Sequence, residues 1–436
     1  MKVLLPTLGS AGDVHPFLAI GRAMQDRGHD VEVLTNPVFA DPVQQAGLQF
    51  HPIGTQQHYA EALGSPKLWH SIDGLGVLWR RMARHAIEPV YQRLAHHALQ
   101  TRFSSTEKLV VMAPPLLFGA RLANEKLKIP LVTAYTAATM LRSCENPLTM
   151  AHWRIPSWMP RPARAAAWHA LDRFKLEPMI AADMQNIRQS LGLPALHQSV
   201  FGQWMHSPRA GVTLFPAWFA PASTDWPAQV SQAGFPLYDG DCKAGLDAQL
   251  LQFLGEGGPP VVFAPGTAMG HGQAFFSAAV RTCVALGKRG VLLTRDASQL
   301  PQDLPPSVHH SPYAPFSLLL PRACALVHHG GIGSCAQALR AALPQLVAPL
   351  AFDQFDNAMR LEILGVGTSL KRGDVQFGSM TSRLRELLGS SAVANACRDA
   401  AIKVRQDDCL GSVCDLLESE AGAKGVDEFF QRGDPS

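Results

Sequence analysis

Several features are missing from this 436-residue chain, and each absence narrows what it can be. Its eight cysteines (Cys144, Cys242, Cys283, Cys324, Cys335, Cys397, Cys409 and Cys414) form no CxxC pair and no zinc-ligand spacing, which suits a reducing cytosol. No long run of one charge occurs. Lys and Arg total 38 against 35 Asp and Glu, a formal +3, so nucleic acid is not an expected partner. No apolar stretch is long enough to cross a bilayer, and Met1-Lys2 leads directly into a short strand. The expectation is a cytoplasmic protein, soluble or at most peripheral at the inner membrane. A short-period repeat is absent, which excludes a solenoid. The histidines of His96-His97, His309-His310 and His328-His329 are chain neighbours that point in different directions, so no metal site is expected. Neither half carries a GxGxxG turn followed by an acidic residue at the end of the next strand, which argues against a dinucleotide oxidoreductase.

What is present is a two-part grammar. The length exceeds what one core organises, so two domains are expected. In the first half, Lys2 to Leu8 reads as a strand, Gly9 to Val14 as a loop, Pro16 to Arg27 as a helix with Gly28 as its stop, and Asp30 to Thr35 as a strand. Lys108 to Met112 and Pro130 to Ala134 read as further strands around a helix from Gly119 to Leu127. In the second half, Pro260 to Pro265, Gly266 to Gly272, Gln273 to Leu286 and Val291 to Thr294 repeat strand, loop, helix and strand. Alternating strands and helices predict a parallel sheet in each domain. The turn-rich stretch from Pro216 to Gly245 marks the seam, giving domains 1–235 and 236–436, with the last helices expected to pack back on the first.

The run from His328 to Asn357, HHGGIGSCAQALRAALPQLVAPLAFDQFDN, carries most of the chemistry. After the apolar strand Ala325-Leu326-Val327, Gly330, Gly331 and Gly333 let the backbone turn tightly and approach a ligand. A helix starting near Ser334 would aim its unpaired amides at that loop, a setting that attracts phosphate. His329 and Ser334 are placed to add donors to a pyrophosphate. Asp353 and Gln354, one βα unit on, suit the hydroxyls of a sugar. In the first half, GSAGDVHPF places Asp13 at the carboxyl edge of the sheet, where open α/β folds bind ligands. By position Asp13 is either a cap for the helix at Pro16 or a general base, with His15 as a nearby alternative.

Together, the histidine, glycines and serine, and the Asp-Gln downstream, resemble the donor signature of the inverting nucleotide-sugar glycosyltransferases with two facing Rossmann-like domains, the GT-B architecture of family 1. The strings GSAGDVHPF, QWMHSP, LFPAWFAP, GFPLYDG, GGIGS and DQFDNAMRL are similar, over about nine tenths of the chain, to the bacterial rhamnosyltransferases of mono-rhamnolipid synthesis. The resemblance implies an α/β GT-B fold with a cleft between its domains, and Asp13 as the base in an acceptor loop that includes Gly12. It implies a donor site of Gly266, Thr267, Tyr313, Ala314, His329, Gly331, Gly333, Ser334, Gln337, Asp353 and Gln354, with Tyr313 against the nucleobase. Gln337 stands where relatives using uridine nucleotides carry a ribose-binding glutamate, which favours a dTDP-sugar. No carboxylate stands near Ala113, where many relatives place a second aspartate. No cofactor is implied beyond the sugar donor, dTDP-L-rhamnose. The implied acceptor is an amphiphilic hydroxyacyl lipid, a 3-(3-hydroxyalkanoyloxy)alkanoate. Another nucleotide sugar, such as glucose, on a lipid, sterol or polyketide is the alternative, and contact with a membrane or with the acceptor-making enzyme stays open.

All eight tryptophans precede the second domain, several in the stretches from Gln56 to Leu99 and from Met140 to Phe201, which read as amphipathic helices. An apolar wall there suits a greasy acceptor. Trp79 and Arg142, the latter as a cation for an acceptor carboxylate, are the residues expected to touch it, although each is also explicable as ordinary packing or surface charge.

Overall fold

The computed structural model describes residues 1–102, 108–145, 149–150, 153–154, 156, 158–240, 245–266, 272–371 and 374–422. The front half is built on strands β1 (Lys2–Pro6), β2 (Asp30–Thr35), β3 (Gln49–Pro52), β4 (Leu109–Ala113), β5 (Leu131–Tyr135), β8 (Ala210–Thr213) and β9 (Val230–Gln232). They form one parallel sheet in the order β3-β2-β1-β4-β5-β8-β9. A small antiparallel hairpin, β6 (Thr149–Met150) and β7 (Trp153–Arg154), stands apart. The rear half uses β10 (Val261–Ala264), β11 (Gly290–Leu293), β12 (Val308–Ser311), β13 (Ala325–His328), β14 (Gln345–Val347) and β15 (Gly367–Ser369), again all parallel, in the order β12-β11-β10-β13-β14-β15.

Both sheets are continuous apolar strands because both faces are covered. On β1, Leu4 enters one core while Val3 and Leu5 enter the other. On β10, Val261 and Phe263 face one way and Val262 and Ala264 the other. This period of two along each strand lets helices pack on either side. The helices that matter below are α1 (Ala11–Asp26), α2 (Arg84–Arg102), α3 (Phe118–Leu127), α4 (Arg161–Leu171), α5 (Glu177–Ser190), α6 (Gln273–Leu286), α7 (Ile332–Arg340), α8 (Gln354–Ile363), α9 (Phe377–Gly389), α10 (Ser391–Gln406) and α11 (Cys409–Gly422).

In each sheet the first and fourth strands of its Rossmann unit lie side by side, β1 against β4 and β10 against β13. Connections leave those neighbours in opposite directions, which opens a crevice at their carboxyl ends. The loops after β1 and β13 therefore sit at the two switch points. Among the described residues the halves meet in a shared core, where Tyr135, Phe215 and Phe219 pack with Ile332, Cys335 and Val404. Helix α11 returns to the front half, burying Val413, Cys414 and Leu417 beside Leu18 and Val33. Arg27 is held to Asp415 at 2.6 Å, and Trp218 Nε1 donates to Asp407 at 3.0 Å.

Two boundaries differ from the expectation. Helix α1 begins at Ala11 rather than Pro16, with Pro16 inside it, because Ser10 and Asp13 close a capping box ahead of the proline. Helix α7 begins at Ile332 rather than Ser334, directly after Gly331. Among the described residues no helix is long and apolar enough to cross a membrane.

Candidate active site

The front loop positions its carboxylate through its own helix. Gly9 has φ +135°, a conformation that favours glycine, and a Cβ there would collide with the Asp13 carboxylate. Asp13 Oδ2 accepts from Ser10 N at 2.8 Å and Ser10 Oγ at 3.0 Å, while Thr7 Oγ1 donates to the Asp13 carbonyl at 3.0 Å. The side chain thus closes the first turn of α1 through Oδ2, leaving Oδ1 outside that capping pair. Burial pushes its pKa up, against the lowering effect of the two Ser10 bonds. A carboxylate that is poorly solvated yet oriented by one oxygen is a stronger base than an exposed one. Gly12 is exposed in the same turn. His15 meets Tyr238 edge-on at 5.5 Å, and burial lowers its pKa, so it faces the interdomain linker.

The rear loop is built around an imidazole. His329 sits between two glycines: a Cβ on Gly266 would lie 2.9 Å from its ring, and one on Gly331 2.5 Å from its Nε2. Gly266 also has φ +99°. These glycines make room for the ring, a packing role that comes in addition to the close approach to a ligand expected of them. Burial drives the His329 pKa down to about 4, against the opposing effect of the Ala264 backbone, so the ring is neutral. Its neighbour His328, which the sequence reading passed over, pins the turn: Nε2 lies 3.0 Å from Gln345 Oε1, and Nδ1 accepts from Gly330 N at 3.2 Å.

Gly331 caps α7 with no side-chain bond, and the helix's first backbone bond runs from Cys335 N to Gly331 O. The amides of Ile332, Gly333 and Ser334 precede that bond and are the unpaired donors of the helix start. Gly333 is exposed and Ser334 half-buried. Gln337, one turn further, is buried with Oε1 unpartnered.

The loop after β14 folds over these glycines. Asn357 Nδ2 donates both to Gly330 O at 2.9 Å and to Asp353 Oδ2 at 2.7 Å, tying the two donor loops together. Gln354 Oε1 accepts from Leu350 N at 2.8 Å and Ala351 N at 3.1 Å, so that oxygen holds the loop's own backbone. The Asp353 pKa is raised to about 7, first by burial and then by the charge of Asp13. The carboxylates of the two halves are thus close enough for one to act on the charge of the other.

Tyr313 is about half exposed on the loop after β12, with its hydroxyl donating to the Asp239 carbonyl and the Arg295 guanidinium 5.9 Å from its ring. Ala314 is buried behind it. Thr267 lies outside the described residues. Arg154 lies on β7.

Of the residues expected to touch an acceptor, Gly12 and His15 lie beside Asp13 in the first turns of α1, whereas Trp79 and Arg142 are engaged by other partners. Trp79 packs in the front core against Phe118 at 5.3 Å and donates to Asp183 at 2.8 Å. Arg142 pairs with Asp172 and lies over Trp168 at 5.1 Å. The apolar surface near Asp13 is made instead by Leu8, Tyr59, Leu63, Trp69, Leu78 and Phe352, gathered around Leu68, Val77 and Met82. Tyr59 is close enough for the Asp13 charge to help burial raise its pKa to about 12. Phe352 reaches this cluster from the rear half with φ +54°, a strained backbone for a bulky residue.

Residues 3–144 match the glycosyltransferase family 28 N-terminal domain, and residues 284–412 match the C-terminal domain of the erythromycin biosynthesis protein CIII-like group. With its paired Rossmann-like halves, the chain is a glycosyltransferase of GT-B architecture. Over 424 residues it is 28% identical to O-mycaminosyltylonolide 6-deoxyallosyltransferase of Streptomyces fradiae, covering 93% of this chain and 92% of that one. It is 27% identical over 393 residues to a sterol 3-beta-glucosyltransferase of Candida albicans, covering 85% of this chain and 24% of that protein's length. The spinosyn rhamnosyltransferase SpnG in complex with thymidine diphosphate shares the fold, with a TM-score of 0.63 and 19% identity over 96% of this chain and all of that one.

Proposed function

We propose that the protein transfers a hexose from a nucleoside diphosphate to the hydroxyl of an apolar acceptor, with inversion at the anomeric carbon. The observation that carries this is that the front and rear loops meet: Leu8, beside the Asp13 turn, and Phe352, next to Asp353, share one apolar cluster, and the charge of Asp13 reaches Asp353. The acceptor oxygen attacks the anomeric carbon as Asp13 takes its proton, and the bond from that carbon to the diphosphate breaks with its electron pair on the leaving oxygen. The open amides at the start of α7 and the neutral His329 ring stabilise that oxygen, an electrostatic contribution organised in advance. Asp353 accepts from the sugar hydroxyls.

For the donor we favour a thymidine diphosphate 6-deoxyhexose, with L-rhamnose as the first candidate. Gln337 in place of a ribose-binding acid, a relative named for 6-deoxyallosyl transfer and a fold neighbour named as a rhamnosyltransferase support this. For the acceptor the relatives favour a sterol or polyketide over the hydroxyacyl lipid that the sequence resemblance implies. A physical reason agrees: Arg142, the cation chosen for a lipid carboxylate, is already paired with Asp172, while the wall near Asp13 is apolar.

The test is a turnover matrix read by mass spectrometry. dTDP-L-rhamnose and UDP-glucose are each offered with a hydroxyacyloxy-alkanoate, a sterol and a macrolide aglycone. Product with any apolar acceptor, lost in Asp13→Asn, supports the class, and the productive pair fixes the substrates. If every pair gives only slow donor hydrolysis that Asp13→Asn leaves unchanged, the proposal fails.

A further inference from the structure

A cavity of about 400 Å³ lies outside the cleft, between the helical insertion and the flank of the front sheet. Arg121 of α3, Arg142, Gln203, His206, Asp225 and Trp226 line it. His206 and Gln229, also on its wall, lead into the amino ends of β8 and β9, whereas Asp13 follows the carboxyl end of β1. Arg142 and Trp226 follow the carboxyl ends of β5 and β8, but none of the described lining residues comes from the loops that carry Asp13, His329 or Asp353, so the cavity is separate from the sugar-transfer site.

Its polar groups are left incomplete. Trp226 Nε1 and Asp225 Oδ1 are buried with no hydrogen-bond partner, as is Oδ1 of the adjoining Asp172. Leaving such groups buried and unpaired is unfavourable unless something completes them. Arg121 spends Nε on the carbonyls of Trp204 (2.9 Å) and His206 (3.3 Å) and Nη1 on Asn124 (3.1 Å). Arg142 spends Nη1 on Asp172. A guanidinium has five N–H groups, so donors remain on both.

Charge then selects the ligand. Arg121 and Arg142 are balanced by Asp172 and Asp225, and His206, held at 2.8 Å from the Tyr135 hydroxyl, is kept neutral by burial and by Arg142. An anion would meet two carboxylates, and a cation two guanidinium groups. A neutral molecule that carries both O–H donors and oxygen acceptors satisfies the carboxylate oxygens, the indole N–H and the arginines together, and the indole and amide planes offer flat faces to a ring. We propose that this cavity binds a neutral polyhydroxylated ligand of monosaccharide size. Its volume falls within the range of about 300–1,000 Å³ typical of small-molecule sites.

Saturation-transfer NMR on the full chain tests this, with dTDP present to occupy the cleft. L-rhamnose and D-glucose are the polyol probes, and acetate and methylamine the charged ones. We expect saturation transfer to the sugars, not displaced by acetate or methylamine, with affinity at least about tenfold weaker in Trp226→Phe, which keeps an aromatic face but removes the N–H. Gln203→Ala is the second variant, and it decides alone should Trp226→Phe lack a native melting transition. Unchanged sugar affinity in the folded variants, no transfer in the presence of dTDP, or displacement by acetate would each overturn the proposal. Because Trp226 and Gln203 line this cavity and not the cleft, their effect on sugar affinity stands or falls separately from the sugar-transfer reading.

Discussion

The loops after β1 and β13 occupy equivalent switch points in two sheets of the same winding, yet they finish their helices in opposite ways. At the front, the start of α1 is closed by the chain itself: Asp13 accepts from Ser10 N and supplies the negative charge that a helix start attracts. At the rear, the start of α7 has glycine as its cap and no side-chain bond, so its amides stay available to an anion. One end is self-capped and presents a carboxylate. The other is left uncapped beside a neutral imidazole. In the proposed reaction the same backbone device would serve two roles, base at the front and anion site at the rear, through the difference in capping.

The largest expected effect comes from breaking the front end. Asp13→Asn keeps an oxygen that can accept from Ser10, so the fold and donor affinity should change little. Transfer should fall by about 10²–10⁴-fold, the usual contribution of a general base. Single-turnover rates beside calorimetric dTDP titration measure this, and equal loss of both would reduce Asp13 to a cap. Asp13→Ala additionally loses the cap, at about 1 kcal/mol of stability by urea unfolding.

Closing the rear end is the converse experiment. Gly333 has nothing within 4 Å of where a Cβ would stand, so side chains are tolerated there. Gly333→Asp places a negative charge in the first turn of α7 and should weaken dTDP binding by about tenfold or more, whereas Gly333→Ala should leave it within a few-fold. Calorimetry on both variants separates charge from bulk, and equal affinities would show that the diphosphate lies elsewhere. His329→Ala should weaken dTDP binding by several-fold with kcat reduced, since it removes one neutral donor and opens the cradle between Gly266 and Gly331. Wild-type affinity in that variant would take the ring out of the site.

The two ends were not equally legible in the sequence. The strand-glycine-helix order and both parallel sheets follow from apolar runs and turn residues, which act locally, whereas the pairing of a front loop with a rear loop came only from the family resemblance. The start of α1 was misplaced because Pro16 suits a first helical turn, while the Ser10-x-x-Asp13 spacing, which signals a capping box, outranked it. The cradle around His329 joins residues more than sixty positions apart, so local pattern read Gly266 only as part of a loop, and it entered the donor site through the family resemblance alone. Trp79 and Arg142 were chosen by composition. Which face of an insertion helix meets the cleft depends on packing, which sent Trp79 to Asp183 and Arg142 to Asp172. Phe352 and Asn357 carried no local signal, although Asn357 stands three residues beyond the Asp-Gln pair.

The finest test asks whether the two ends sense each other across the cleft. Asp353 has its pKa raised to about 7, with burial the main cause and Asp13 the second. An acid held above its unfolded value of about 4 binds its proton more tightly when folded. Its contribution to stability is therefore full below about pH 4 and is lost as the pH rises through about 7. The urea midpoint of the wild type should fall between about pH 5 and pH 7 more than that of Asp353→Asn, by an amount on the order of 2 kcal/mol. Asp13→Asn removes only the second cause, so the ¹³C carboxyl titration of Asp353 should move down while staying above the ordinary range. An unmoved midpoint would mean that the carboxylates are not electrostatic neighbours, and that the front base and the rear sugar site do not share a cleft in solution.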